Sequence, residues 1–551
     1  MAGHCPSIST GNDPYKLLSD AFKAIADRTQ TFKVRCDKVL PPTVDMFGWC
    51  TWDAFYTDVH GPGIVQGIQS LAAAGTPAKV LIIDDGWQDV ENDATIWIKE
   101  NDVNCLQAPA SWAANIFQKA SMAVVKMFFR LGQSIRQSLE LYFNTKVEGA
   151  PAGSIHILVW GVLANTILKT RLLDHYARRM DYTKRLMSVR ASPRFLGTLE
   201  GGDLKGFVES LKRDHGIDFV YCWHALLGYW SGVGGEFNEQ WKTGIAGHGA
   251  APKRPVPSKG ILAVEPQLRW DPLLLNNIGM AGMTSHGVVG GKSGGRDGMR
   301  AGAGSLSHVI HRYLKDCGID GVKVDAQAAS TLMGQGMGGS SSVAREYIHK
   351  MEQSVVENFG PDGHCINCMC HPAECVFSYK TTNIARASDD FYPRDISSHT
   401  AHIAGVAYNS IFLGEVVQPD WDMFQSRHPA ALLHAAARAV SGSAVYVSDH
   451  PGEHDEVLLK RLVLKSGGIL RGTLPGRPTK DCLFKDVTHD TQTALKVFNM
   501  NPYTGVVGAF NIQGAAWDKR TRGFRTANFE PREVPAVVRP TDVHMLADSP
   551  R

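Results

Sequence analysis

Charge of one sign is what this sequence has least of. Its 57 Lys and Arg stand against 54 Asp and Glu, a formal net charge of +3. There is no dense basic run, and nucleic-acid partners select for a concentrated basic face, so nucleic acid is not an expected partner. Long apolar runs are also missing. The stretch Ile155–Leu168 has 14 residues, is broken by Asn165, and falls short of the roughly 20 needed to cross a bilayer. Membrane contact there is not expected. Residues 1–12 have neither a charged leader nor an apolar core, so no secretory signal is read. The eleven cysteines are an odd number at irregular spacings, which suits a reducing compartment better than a disulfide scaffold. A cytoplasmic location is expected, with a plastid address the open alternative. The Gly-rich span Thr284–Gly304 reads as a mobile loop and lacks the Gly-Lys-Ser/Thr close of a phosphate loop. The cluster Cys365, Cys368, Cys370, His371 and Cys375 lacks the second ligand pair of a tetrahedral zinc site. Neither metal nor cofactor is expected.

What is present is ordinary globular composition, 44% hydrophobic and 20% charged over 551 residues. That length accommodates a large barrel plus a second unit. The central stretch is Gly318–Gln327, a short apolar run that ends in a carboxylate. Lys323 and Asp325 alternate with Val322 and Val324, so both charges face one side of a strand. Either they form an edge-strand salt bridge or they work at the end of a barrel strand, where chemistry sits.

The same pattern recurs along the chain. An amphipathic helix over Asp13–Phe32 leads into an aromatic-rich strand, Phe47–Phe55, where Trp52 is either core or a sugar platform. A helix at Ile64–Ala73 precedes Lys79–Ile83, a buried parallel strand closed by Asp84, Asp85, Gly86 and Trp87. Adjacent carboxylates there can accept from two neighbouring hydroxyls, or one can cap the next helix. Residues from about 106 to 195 read as an insertion with a basic amphipathic helix at Met122–Leu141, a helical cap. Helices at Phe207–Arg213, Ser307–Asp316, Val343–Asn358 and Ala430–Val440 alternate with strands, one of which carries Trp223. Ile384–Arg386 breaks into Asp389 and Asp390, and Ile411–Val417 leads to Asp420, Trp421 and Asp422. Strands near 47, 79, 218, 320, 365, 384, 411 and 444 make eight βα units. The expected fold is α/β, a (β/α)8 TIM barrel with a helical insertion after strand 2 and a small C-terminal antiparallel β domain. The expected boundaries are 1–45 for a helical lead-in, 46–455 for the barrel and 456–551 for the β domain.

Aromatic rings, carboxylates at several strand ends and one lysine describe a site for a neutral polyol. Two carboxylates on different strands can be the pair that glycosidic bond chemistry needs, a nucleophile and an acid/base in the retaining scheme. Lys323 is expected to lower Asp325 and keep it ionised, and Asp389 to raise Asp390 against the pull of Arg386.

These residues resemble the raffinose synthase and seed imbibition protein family, related to alkaline α-galactosidases within glycoside hydrolase family 36. The runs that carry the resemblance are Phe47–Asp58, Ile82–Gln88, Trp223–Trp230, Gly318–Gln327, Arg386–Asp395, Gln418–Phe424 and Gly476–Phe484. The resemblance implies a barrel with a C-terminal β domain and transfer of an α-galactosyl group through a covalent intermediate. It implies Asp325 as nucleophile and Asp389 as acid/base, with Asp390 the competing choice. It implies that Asp84, Asp85 and Lys323 bind galactose hydroxyls and that Trp52, Trp87 and Cys368 line the pocket. Trp223, Arg386 and Asp422 complete the substrate-binding candidates. The partners would be an α-galactoside and an acceptor sugar or water; the oligomeric state stays open. Family members carry a β domain ahead of the barrel, whereas here the barrel begins within about fifty residues. Ser388–Arg394 is closer to the seed imbibition and α-galactosidase branch than to dedicated raffinose synthases. A non-catalytic galactoside-binding protein is the alternative.

Overall fold

The structure is a computed structural model that describes residues 10–92, 184–230, 232–233, 306–332, 339–518, 523–526 and 533–547. The chain falls into two compact units, residues 1–90 with 186–551, and residues 91–185. The helix expected at Met122–Leu141, the apolar stretch Ile155–Leu168 and the Gly-rich span Thr284–Gly304 lie outside the described residues. So does most of the expected insertion.

The larger unit is built on a curled, eight-stranded parallel sheet. Its strands are β1 (Gly48–Cys50), β2 (Val80–Ile83), β3 (Phe219–Ala225), β4 (Gly321–Asp325), β5 (Cys365–Asn367), β6 (Ile384–Arg386), β7 (Gln418–Asp420) and β8 (Tyr446–Val447). They lie in the order β8-β1-β2-β3-β4-β5-β6-β7, and every pair is parallel. Across the remaining gap, Tyr446 OH donates to Asp420 Oδ2 at 2.9 Å, and Phe424, just after β7, bridges Val447 of β8.

Side chains on a strand alternate between its two faces, and two packed clusters follow that alternation. Cys50, Val80, Ile82, Tyr221, Ile366, Ile384 and Tyr446 meet one another inside the curl. Trp49, Leu81, Ile83, Val220, Val322, Val324, Cys365 and Ala385 pack outward against the helices. Continuing the inner series two residues at a time reaches Asp84, Trp223, Lys323, Asp325, Cys368 and Arg386. Parity alone therefore sends these side chains to the inside at the C-terminal end of the sheet.

Helices connect the strands: α1 (Pro14–Thr29) ahead of the sheet, then α2 (Gly61–Ala73), α3 (Leu204–His215), α4 (Leu306–Asp316), α5 (Ser340–Phe359), α6 (Ser398–Val416) and α7 (Ala431–Ser441). Their ends follow local chemistry. Asp13 accepts from the Tyr15 and Lys16 amides to start α1, with Pro14 at its first position. Asp203 caps α3 in the same way, and Gly216, at φ 68°, ends it in the left-handed conformation.

Two expectations need correction. Ile411–Val416 is not a strand; it is the last turns of α6, and β7 starts at Gln418. A short apolar run has no periodicity that separates a buried strand from a buried helix, and α6 is buried along most of its length. Nor is Phe47–Phe55 one strand. Pairing stops at Cys50, and Trp52–Phe55 turns helical, which brings Asp53 beside the strand ends.

Beyond the parallel sheet, β9 (Arg477–Pro478), β10 (Leu495–Met500) and β11 (Gly505–Phe510) form an antiparallel sheet, and Ala515–Asp518 pairs with Gly523–Thr526. These strands belong to the same compact unit as the parallel sheet. Helical turns do not vanish from the C-terminal region, since His544–Ala547 forms a short one.

Candidate active site

The C-terminal ends of the parallel strands gather an unusual density of buried charge. Lys323 and Asp325, two apart on β4, do not pair with each other. Lys323 Nζ reaches across to Asp84 Oδ2, after β2, at 2.6 Å. Both side chains are buried, and removing one partner from a buried ion pair typically costs about 3–5 kcal/mol. Asp84 Oδ2 also accepts from the Cys50 thiol at 3.3 Å, while its Oδ1 takes the Asp85 amide at 2.9 Å. Burial works against the charge on Lys323, but Asp84 holds its pKa well above the ordinary lysine value.

Asp325 is pinned at both oxygens. Oδ2 accepts the Trp223 indole N–H at 3.0 Å and Oδ1 the Ala326 amide at 2.6 Å. Trp223 can do this because β3 and β4 run in register, Trp223 beside Lys323 and Ala225 beside Asp325. Burial raises the Asp325 carboxyl above its ordinary pKa, Asp390 adds to the rise, and Lys323 only opposes it. The expected lowering is thus reversed, because desolvation exceeds an attraction that Lys323 shares with Asp84.

The second charged group centres on Arg386, at the end of β6. Its guanidinium is buried, and one nitrogen, Nη2, donates to Asp390 at 2.8 Å and to Asp422 at 2.6 Å. Asp422 Oδ2 also accepts the Phe391 amide at 2.7 Å. Asp422 is 1% exposed, whereas 40% of the Asp390 side chain is exposed. Burial would raise Asp390, but Arg386 and then Lys323 pull its pKa below the ordinary value. For Asp422 burial wins, and its carboxyl is pushed up to about 6.

The two adjacent carboxylates differ in setting. Asp389 is exposed, while Asp390 sits on Arg386 and acts on Asp325. Of the two, Asp390 is the one that joins the buried charges at the strand ends. The expected rise of Asp390 is overturned, since Arg386 outweighs like-charge repulsion.

Several substrate-binding candidates have tasks inside the protein. Trp87 is 1% exposed, and its indole donates to the Trp223 carbonyl at 2.9 Å. Trp223 is equally buried and serves Asp325. Neither ring is exposed in this structure. Arg386 is a buried partner of both Asp390 and Asp422. Asp85 accepts Tyr229 OH at 2.8 and 3.0 Å and the Trp230 indole at 3.3 Å. Trp52 is half-buried and packs edge-on to Tyr56, 5.2 Å between rings. Cys368 is a buried thiol raised by burial, 3.9 Å from Arg386 Nη1. The other thiols of its cluster point to separate acceptors, Cys370 to the Asn367 carbonyl and Cys375 to that of Gln327.

One member escaped the sequence reading. Asp53 is buried at the end of β1 and accepts from Ser448 Oγ at 2.6 Å. Burial pushes it up to about 8, with Asp422, Asp390 and Asp84 adding to the rise. The available signal was its place in Phe47–Asp58, a carboxylate in the turn that follows a short apolar strand. Backbone strain marks the same end of the sheet. Tyr56, Ala326, Met369 and Asp422 all have positive φ, from 46° to 72°, at about 1–3 kcal/mol for each such residue.

The description "raffinose synthase or seed imbibition protein Sip1" matches residues 3–550. The chain belongs to this family. Among its relatives is a probable galactinol–sucrose galactosyltransferase 6 from Arabidopsis thaliana, 38% identical over 99% of this chain and 59% of that protein. A galactinol–sucrose galactosyltransferase from Pisum sativum is 32% identical over 98% of this chain and 58% of its own. The chain thus spans less than two thirds of these family members. Among solved structures, an α-galactosidase from Saccharomyces cerevisiae with raffinose is 8% identical, with a TM-score of 0.42 over 85% of this chain and 74% of that one. That likeness is too distant to carry family chemistry over.

Proposed function

We propose that this chain carries the catalytic barrel of an α-galactosyl-transferring enzyme of raffinose-family oligosaccharide metabolism, acting by retaining double displacement. On this reading the curled sheet is a (β/α)8 barrel, with an insertion after strand 2 and a C-terminal β domain. Asp325 attacks the anomeric carbon, and the bond to the leaving oxygen breaks as Asp390 gives that oxygen a proton. Asp390 then takes a proton from the incoming hydroxyl, which attacks the galactosyl ester and frees Asp325. Asp84 and Lys323 hold galactose hydroxyls at the base, and Trp52 closes one side. The acceptor enters beside Asp390, past the exposed ring of Tyr392. Galactosyltransferase names among the relatives support the reaction class. A cytoplasmic location belongs to the same proposal and rests on cysteine usage.

The observation that carries this reading is that Asp325 and Asp390, far apart in sequence, stand at and just after the ends of two strands of one curled parallel sheet, where Asp325 is pinned by Trp223 and Ala326 and Asp390 by Arg386. A pure binder has no use for a carboxylate pinned as Asp325 is. Asp325→Asn is expected to lower galactose release from an aryl α-galactoside by several orders of magnitude while circular dichroism stays unchanged. Turnover near that of the wild type would reject the assignment. Asp390→Ala should lose activity on sugar donors; on an aryl α-galactoside whose leaving group departs without a proton, azide should speed turnover by attacking the galactosyl ester and give an α-galactosyl azide. Asp389→Ala should need no such rescue. Product analysis of galactinol with sucrose, set against raffinose in water, separates transfer from hydrolysis.

A further inference from the structure

Asp422 has a geometry that substrate binding does not explain. Its Oδ2 is shared by Arg386 Nη2 at 2.6 Å and the Phe391 amide at 2.7 Å, and Phe391 directly follows Asp390. Its Oδ1 is buried with no hydrogen-bond partner. Its backbone is held at φ 72°. The same Arg386 nitrogen holds Asp390 at 2.8 Å. One cation therefore faces two carboxylates, one of them sealed from solvent.

We propose that Asp422 is a positioning residue for the acid/base: it shares Arg386 with Asp390 so that the three groups hold one proton between them, and this sharing keeps Asp390 able to donate to the leaving oxygen. The inference rests on the galactosyl-transfer reading above. With both carboxylates ionised the trio carries one net negative charge in a buried setting, and one proton neutralises it. Such a trio titrates as a unit. The bare Oδ1 is a place for that proton when Asp390 is ionised, in keeping with the rise of Asp422 to about 6. Without the Asp422 charge, Arg386 would belong to Asp390 alone and hold it ionised to lower pH.

Other groups bear on this balance. Lys323, Arg386 and His402 act on Asp390 itself, and Asp390 in turn acts on Asp325, Asp53, Cys368 and Tyr392. Asp422 also acts on Arg438 and Tyr446. None of these shares the Arg386 nitrogen, which is why Asp422 is singled out.

Asp422→Asn tests the idea with little disturbance. Asparagine tolerates positive φ, its carbonyl oxygen can keep the Arg386 and Phe391 bonds, and its amide nitrogen falls where Oδ1 has no partner. The alkaline limb of the kcat/KM profile, on whichever of galactinol or raffinose the wild type turns over, is expected to move at least one unit to lower pH. Above the limb that is a loss of about tenfold or more. An aryl α-galactoside whose leaving group departs without a proton should lose far less. The position of the limb does not depend on how much protein folds. Should Asp422→Asn yield no soluble enzyme, Asp422→Ser removes the same charge. An unchanged limb, or an equal loss on both donors at every pH, overturns the role of Asp422. Wild-type turnover by Asp325→Asn would instead overturn the galactosyl-transfer reading, and this inference with it.

Discussion

Asp53 shows how much one buried carboxyl can govern. Its folded value of about 8 lies above the ordinary unfolded value of about 3.9. The native state therefore keeps a proton that the unfolded chain gives up. The stability this provides is complete below about 4 and is lost as pH rises through 8. Asp53→Asn retains an acceptor for Ser448 Oγ and removes the ionisation. Its Tm should exceed that of the wild type by a margin that grows from about pH 4 to 8 and then levels off; a margin independent of pH would refute the shift. At this scale the sequence told which residue types stand at strand ends but not whom they face. Lys323 lies two residues from Asp325 and yet pairs with Asp84, because the curl of the sheet brings the ends of β2 and β4 together past β3, while strand parity only selects the face. Both pKa expectations failed for the same reason: burial and a shared cation are properties of the folded sheet.

Between α6 and α7 lies a buried basic cluster that the sequence shows only as scattered histidines. His399 Nδ1 and His434 Nε2 are 2.9 Å apart, and Arg438 Nη1 lies 2.9 Å from His434 Nδ1. Arg438 Nη2 is 3.3 Å from His402 Nε2. Burial, then neighbouring positive charge, lowers these imidazoles, His399 to about 4 and His402 to about 3. They are neutral in the folded state, whereas the unfolded chain binds protons near 6.5. The packing of α6 on α7 should weaken as pH falls below 6.5 and most of that loss should be complete near 4. His399→Asn, which can replace the Nδ1 partner, is expected to flatten the decline of Tm with acid. An unaltered slope would show that the cluster is not what titrates. The two helices themselves differ in legibility. α7 was plain from its alternating apolar face, while the end of α6 looked like a strand because it is apolar on nearly every side.

Over the whole molecule, the alternation of strands and helices was readable because each buried strand is a short apolar run with a charged end. The insertion was readable only as an interruption. Less visible was how tightly the C-terminal sheet is bound to the parallel one. Arg477 pairs with Glu415 of α6 at 2.8 Å, both largely buried, and Asn499 of β10 bonds the carbonyls of Val440 and Leu474 at 2.8 and 2.7 Å. Tyr15 of α1 donates to the Pro478 carbonyl and packs edge-on to Phe498. Gly442 ends α7 at φ 72°, and a side chain there would run into the Leu474 carbonyl. Deleting residues 477–551 should leave Glu415 and the backs of α6 and α7 uncovered, with loss of soluble expression; a folded, monodisperse truncation would show that the parallel sheet stands alone. Gly442→Ala should lower Tm by several degrees for the same reason.

The bond between Trp223 and Asp325 has an optical side. An indole whose N–H rests on an anion emits differently from one resting on a neutral ester. Formation of a covalent sugar adduct at residue 325 would convert the first state into the second. With Asp325 as the proposed nucleophile, this ring would be an internal lamp wired to it: the change in tryptophan emission on adding donor, lost in Trp223→Phe, would report adduct formation and decay in an otherwise unlabelled protein.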